Sequence, residues 1–363
     1  MKAPKLCQLK DLCIGKTTGI RQKDLLVKGE HPVYGASGIV GFSQRELHPK
    51  PYVVVVKDGA GVGRAFVAEG GSSILGTMQA LIPKGNVDCR YLLYLVKSLR
   101  LGSERSGATI PHIYFNKYSH KLVPYYSKDH QKAIADSLRQ IELLIEKRCG
   151  QRNGLYRLVQ SRFIDMFGDK GYPPHPLSEL STTMQNGLSP SKNGDHHEKV
   201  LTLSAITQGN FDVSAWKEGL FKDDPPAGKR VADGCFYVCR GNGNKSLVGV
   251  GEYAPAAMDD LVYPDTMIAV RIDQEKVLLP YLRIAWKQAR VREQIESSAK
   301  TTNGTYKINQ ASLGMVEVVV PPLSLQREFA AFAESVDKSQ EAARRVSREL
   351  LNFLAKSLYT IWA

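Results

Sequence analysis

The side chains best suited to covalent or metal chemistry are dispersed along this sequence. Cys235 and Cys239 stand four apart in the β-prone run CFYVC, and His196 and His197 follow Asp195, with His175 upstream. Residues four apart in an alternating strand share a face, so the two thiols suit a small-residue patch of core. No second cysteine pair or suitably spaced histidine set completes a structural zinc site. The run DGAGVG at 58–63 lacks the glycine spacing and onward helix of a dinucleotide loop; RAFV after it reads as a returning strand, so a tight hairpin is the better account. DDPPAGKR at 223–230 has the prolines of a base-flipping methyltransferase motif without its stacking aromatic, and no Walker A sequence occurs. The expectation is no catalytic residue, no metal ligand and no cofactor bound by this chain.

What remains is a set of polar side chains in loops, whose chemistry is hydrogen bonding to an anionic partner. The formal charge of +13 and a pI of about 9.3 put nucleic acid first among such partners, ahead of an anionic membrane or an acidic protein. The candidates for DNA contact in the first half are Lys57, Arg64, Arg105, Ser106, Thr109 and His112. In the second half they are Lys192, Asn193, Arg240, Asn242, Asn244, Lys245, Lys300, Thr302, Asn303 and Tyr306. Arginine can take guanine bidentately and asparagine adenine, each pair worth ~1–3 kcal/mol of discrimination, whereas lysine more often holds phosphate. Residues 1–126 hold 18 Lys and Arg against 8 Asp and Glu, a net of +10, and residues 171–322 hold 16 against 17, a net of −1. If both segments meet DNA, the first leans harder on phosphate attraction and the second on shape and uncharged donors.

The elements that would position these residues are written twice. With 363 residues, 43% of them hydrophobic, the chain has material for two or three folded domains. Strands are expected at 52–56 (YVVVV), 64–68 (RAFVA) and 75–82 (LGTMQALI), then at 200–203 (VLTL), 235–239 (CFYVC), 247–250 (LVGV) and 266–272 (TMIAVRI). Landmarks recur in the same order about 195 residues apart. A strand enters a glycine turn, VVVVKDGAGVGRAF against CFYVCRGNGNKSLVGV; a short helix follows at 90–100 and at 280–292, each with a Tyr-Leu pair near its start. Next come a small-residue loop, SERSGATIPHIYFNK against SSAKTTNGTYKINQ, and a β run ending in proline, KLVPYYSKDHQKAIADSL against EVVVPPLSLQREFAAFAES. So long a period points to a duplicated unit rather than a solenoid.

Each half closes on a helical pattern. Ile134, Ile141 and Leu155, with Leu138, Ile145, Val159 and Met166, fall on seven-residue ladders, with Leu144 and Leu158 beside them. Residues 148–153 and Gly154 interrupt that seam, predicting a weaker or kinked middle before the run stops at Phe167-Gly168. The second pattern is cleaner: Phe329, Val336, Ala343 and Leu350 on one ladder, Phe332, Val346 and Phe353 on another with Ser339 as its polar rung, and Leu354 and Leu358 in support; Ser324 is its candidate cap. From periodicity alone these helices pair with each other, pack on their own domains, or mediate dimerisation. Six dispersed cysteines, no signal-peptide pattern at the start and no long apolar run suggest a reduced, cytoplasmic, membrane-free setting.

Through HPVYGASGIVGF at 31–42, SGATIPHIYFNKYSHKLVPYYSKDHQKAIADSL, and TTNGTYKINQASLGMVEVVVPPLSLQREFAAFAE, the chain resembles the HsdS family, the specificity subunits of Type I restriction-modification enzymes. The resemblance covers nearly the whole chain and rests most on the two proline-plus-glutamine helix junctions. It implies a mixed α/β (α+β) architecture of two duplicated target recognition domains, each with a β-rich core and short helices, and two long helices forming an antiparallel coiled coil. The divisions would be 1–126 for the first recognition domain, 127–168 for the first spacer helix, 169–322 for the second domain and 323–363 for the second helix. It further implies a non-catalytic reader of a split double-stranded DNA site. Its partners would be two adenine methyltransferase subunits, which use S-adenosylmethionine, and restriction and translocase subunits, which use ATP and Mg2+. Lys132, Arg139, Arg148, Arg344, Arg345 and Arg348 on the long helices are candidates for partner contact or solubilising charge. Two alternatives are a two-module protein-interaction scaffold on a coiled-coil stalk and the recognition subunit of another restriction-modification type.

Overall fold

The computed structural model describes residues 4–59, 61–104, 111–191, 193–302 and 304–360. Arg105, Ser106, Thr109, Lys192 and Asn303 lie outside the described residues, and only the backbone of Thr302 is described. The fold is mixed α+β, with two compact units: Met1–Gln151 with Ala343–Ala363, and Arg152–Ala342.

In the first unit, the β-branched and aromatic run Tyr52–Val56 has no polar position, a pattern that needs cover on both faces. All five residues are fully buried. The strand lies between Ala65–Ala68 and Met78–Pro83, antiparallel to both, and Cys13–Lys16 completes the four-stranded sheet. Val53 and Val55 face a core with Tyr91, Leu92 and Leu95 of the helix Cys89–Ser98, while Tyr52, Val54 and Val56 face another with Ile74 and Met78. A second sheet joins His31–Gly35 antiparallel to Gly38–Ser43 and parallel to Ser73–Ile74.

The second unit repeats this topology. Cys235–Cys239 lies between Gly251–Tyr253 and Met267–Ile272, with Ser181–Asn186 at the edge. Phe236 and Val238 face a core with Tyr281, Leu282 and Trp286; Cys235, Tyr237 and Cys239 face another. The two cysteines thus share one core face, and burial pushes the Cys239 thiol up to about 11, which keeps it protonated and inert near neutrality. The accompanying sheet again has an antiparallel partner, Trp216–Phe221, and a parallel one, Met258–Val262, on either side of His196–Leu201. Each unit also has a two-stranded ribbon leading towards a long helix: Lys5–Gln8 with Leu122–Tyr125, and Pro174–Pro176 with Glu317–Val319.

Three local expectations are corrected. The run 247–250 is not a strand: the Asn244 side chain caps a 3-10 turn, Lys245–Leu247, and extended pairing begins only at Gly251–Tyr253. The helix expected over 280–292 is two, Leu279–Ala285 and Ala289–Ser298, because Gln288 turns extended and its side-chain amide, rather than a continuing helical N–H, donates to the Ile284 carbonyl. Ser324 does not cap the last helix, which already begins at Leu323 behind Pro322.

The long helices are Lys128–Phe167 and Leu323–Thr360, and the first is assigned as helix without a break through Gly150 and Gly154. The polar interruption coincides with the boundary between the compact units, Gln151 and Arg152. In the first unit the start of the first helix, with Ile134, Leu138 and Ile141, shares a core with Leu354 and Leu358 from the end of the second. In the second unit Val159, Phe163 and Phe167 from the end of the first pack with Phe329, Ala333 and Val336 from the start of the second. Each unit thus holds one antiparallel pair. Leu144, Leu158 and Phe353 lie off the seams, about half exposed, while Ala135 and Phe163, absent from the ladders read in the sequence, are buried.

Candidate nucleic-acid interface

In the first unit the turn after Tyr52–Val56 is held by its own backbone. The Val56 N–H donates to the Arg64 carbonyl at 2.8 Å, and the Gly63 N–H returns to the Val56 carbonyl at 2.9 Å. Gly63 has a φ of +85°, and a Cβ there would lie 2.2 Å from the Gly102 nitrogen, so only glycine permits this close approach. The Lys57 carbonyl accepts from the Ile113 N–H, which brings His112 beside the turn. There Asp58 pairs with His112 Nδ1 at 2.7 Å and with Lys57 Nζ at 3.8 Å, and the His112 ring stacks on Tyr114. Lys57 and Arg64 therefore lie on one turn with His112 beside it; Arg64 Nε reaches back to the Gly61 carbonyl.

In the second unit the corresponding turn is longer and joins a three-stranded ribbon. Gly241–Asn242 pairs with Thr305–Lys307, which pairs with Lys300–Thr302, so Asn242, Lys300 and Tyr306 come together. The Arg240 guanidinium donates to the Asp265 carbonyl at 3.2 Å. Asn242 Oδ1 accepts from the Asn244 N–H, and Asn244 Oδ1 accepts both the N–H and the hydroxyl of Ser246. An amide oxygen has two lone pairs, so a bidentate adenine contact by Asn244 requires its cap to open. Lys245, between the caps, is exposed. Asn193 stands apart from this group, beside Ser191, which bridges to Leu220 of the other sheet.

The two glutamines of the helix junctions, quoted in the sequence only as a pattern, do the same work in both units. Gln131 is fully buried; its Oε1 accepts the Asp88 N–H at 2.8 Å, and its Nε2 donates to the Tyr126 carbonyl at 2.8 Å. Gln326 is equally buried, accepts the Leu278 N–H at 2.9 Å, and donates to the Pro321 carbonyl at 2.8 Å. Asp88 and Leu278 each open the short helix after the central sheet. Beside them the Tyr91 hydroxyl donates to the Pro124 carbonyl and the Tyr281 hydroxyl to the Val319 carbonyl. An acid on each long helix adds an ion pair: Glu142 accepts from Lys97 at 2.7 Å and Tyr94 at 2.8 Å, and Asp337 pairs with Arg283, which also binds the buried Glu252 at 2.9 Å. Burial pushes the Glu142 carboxyl up, but Lys97, Tyr94 and Arg139 together bring it below its ordinary value.

The six helix-borne candidate cations fall in the first unit. Arg139 reaches Glu142 and Glu146, Arg148 reaches Gln151, Arg344 is half-buried, and Lys132, Arg345 and Arg348 are exposed. Among the described residues no three His, Cys, Asp or Glu side chains gather as a metal site, and no helix is long and apolar enough to cross a membrane.

Residues 3–153 match the family model of the Type I restriction modification DNA specificity domain. The fold of the whole chain is similar to the crystal structure of the S subunit of a Type I restriction-modification system from M. genitalium. The TM-score is 0.59 at 14% identity, over 99% of this chain and 96% of that one. It is also similar to a chain described in terms of complex assembly and conformational transition of the type I R-M system, with a TM-score of 0.57 at 13% identity, over 100% of this chain and 98% of that one. No curated protein matches in sequence. The chain thus resembles the Type I specificity subunits by family model in its first half and by fold throughout.

Proposed function

We infer that this chain is the non-catalytic, cytoplasmic subunit that reads a split double-stranded DNA target for a Type I restriction-modification complex. The observation that carries the reading is a frame built twice, down to the same buried glutamine and tyrosine hydrogen bonds, with a different polar turn at the same place in each copy. A duplicated frame with divergent turns suits two half-sites of different sequence, since side chains on base edges specify while contacts to phosphate position. The first turn offers Lys57, Arg64 and His112, and the second offers Arg240, Asn242, Lys245, Lys300 and Tyr306. In this reading the long helices set the unread spacer and dock two adenine methyltransferase subunits, with Lys132, Arg148, Arg345 and Arg348 as solvent-side contacts. Those subunits use S-adenosylmethionine, and restriction and translocase subunits use ATP and Mg2+.

The test is co-expression with the modification subunit of its own system, followed by sequencing of host DNA for modified bases. Adenine methylation confined to one split motif, and lost when this chain is omitted, supports the reading. Unmodified DNA despite an intact complex of the two proteins moves it to a protein-interaction scaffold.

A further inference from the structure

The turn of the second unit is held by side chains from beneath. Trp286, 1% exposed, donates its indole N–H to the Gly249 carbonyl at 2.7 Å. Arg292 Nη2 donates to the carbonyls of Ser246 at 3.1 Å and Val248 at 3.0 Å. Gly249, with a φ of +71°, lets the backbone settle on Ile295, whose Cγ2 would stand 2.3 Å from an added Cβ. The break at Gln288 places Arg292 and Ile295 on the separate helix Ala289–Ser298. The candidates Asn242, Asn244 and Lys245 thus hang between two fixed points, the pairing of Gly241–Asn242 with the ribbon and the three downward carbonyls of 246, 248 and 249. Between those points the turn has, among the described residues, only local bonds of its own, such as the Leu247 N–H to the Asn244 carbonyl.

We propose that Arg292 is a positioning residue for DNA reading: it touches no base but fixes the turn that carries Asn242–Lys245, and so sets the stringency of one half-site only. The proposal rests on the specificity-subunit reading above. Base-edge contacts need placement to within about 0.5 Å, and a turn released from its anchors samples more than that. The Arg292 hold runs through one nitrogen, because Nη1 is buried and without a partner among the described residues. A lysine can supply one such donor and should restore part of the effect. The turn of the first unit is closed by its own backbone and by the approach to Gly102, so the other half-site is an internal control.

The experiment uses the full chain in complex with its methyltransferase partner, with host genomic DNA as substrate and single-molecule sequencing of modified adenines as readout. The wild-type motif is established first. Arg292→Met should raise methylation of sites with one wrong base in one half by about tenfold or more, the scale of a lost base contact. Stringency at the other half should be unchanged, and in stringency Arg292→Lys should lie between Met and wild type. Trp286→Phe, which removes the indole donor to Gly249 and part of the ring packed on Phe236 but leaves Arg292 in place, carries the test if Arg292→Met fails to fold. Unchanged stringency in both halves, or equal relaxation of both, overturns the proposal. A wild-type complex that gives no chain-dependent split motif overturns the underlying reading instead, and is told apart because it appears before any variant is made.

Discussion

The two units share a frame and differ in how they hold what the frame carries. In the first, the turn at 57–64 is closed by backbone hydrogen bonds and a glycine-to-backbone contact. In the second, the turn at 240–250 is longer, is capped by two asparagine side chains, and is supported by a tryptophan and an arginine from two separate helices. The charge contrast follows the same line. Several cations of the near-neutral second unit are engaged internally: Arg230 with Glu198 and Asp224, Arg283 and Lys287 with Glu252, Arg292 with turn carbonyls. Residues on the duplicated frame stay alike because each hydrogen bond joins two elements at once, whereas the turns answer only to their own anchors.

The sharpest way to break the comparison is at the helix pairs. Phe329 sits fully buried among Phe163, Phe167 and Tyr281, while Ile134, 195 positions earlier, is only half-buried. Phe329→Ala should cost about 3–5 kcal/mol and Ile134→Ala distinctly less, measured by denaturant unfolding. Equal losses would mean the two seams carry the same load despite their different packing.

The glutamine junctions make the opposite prediction. Gln131→Leu and Gln326→Leu each strand a buried N–H and a carbonyl, so each should cost about 2–4 kcal/mol, and by similar amounts. Amide exchange localised to each unit would check it; a cost in one unit alone would show that the shared geometry is not shared energetics.

The smallest effect is at Glu142. Its carboxyl is lowered in the folded chain, so its stabilisation is complete above the ordinary glutamate value of about 4.3 and is lost as pH falls through the folded value. Glu142→Gln should cost about 1 kcal/mol at neutral pH, after allowance for solvent screening, and the difference from wild type should shrink below pH of about 4. A difference constant across that range would remove the Lys97 and Tyr94 contacts from the account.

The sequence made the frame legible because its signals are strong and local. The strands Tyr52–Val56 and Cys235–Cys239 are uninterrupted β-prone runs bounded by glycine turns, and the first long helix stops at the Phe167-Gly168 step. Periodicity marked the apolar stripe of each long helix but not its edges: Phe353, read on a ladder, and Leu144 and Leu158, read beside one, are about half exposed, since a helix pair covers only part of each circumference. Among the candidate contacts, the sequence supplied residue type but not occupancy. Asn244 reads as a donor-acceptor pair for adenine, and in the fold its oxygen is already filled by Ser246. Arg292 and Trp286 carry no motif; their roles appear only in the fold, where Trp286 closes one short helix and Arg292 lies on the next, both under a distant loop. The signal that was present is the pair of glutamines at matching places after the closing β runs, Gln131 and Gln326, whose amides are buried only through contacts distant in the chain.

The strands Tyr52–Val56 and Cys235–Cys239 each stand as a party wall, with alternate side chains belonging to different hydrophobic clusters. Neither cluster can come apart without stripping one face of the wall, and a strand bared on one side loses the pairing that keeps the other closed. Melting within a unit should accordingly be all-or-none, so that the polar turn leaving the end of the wall is either held in place or gone, with no half-melted state that still presents it.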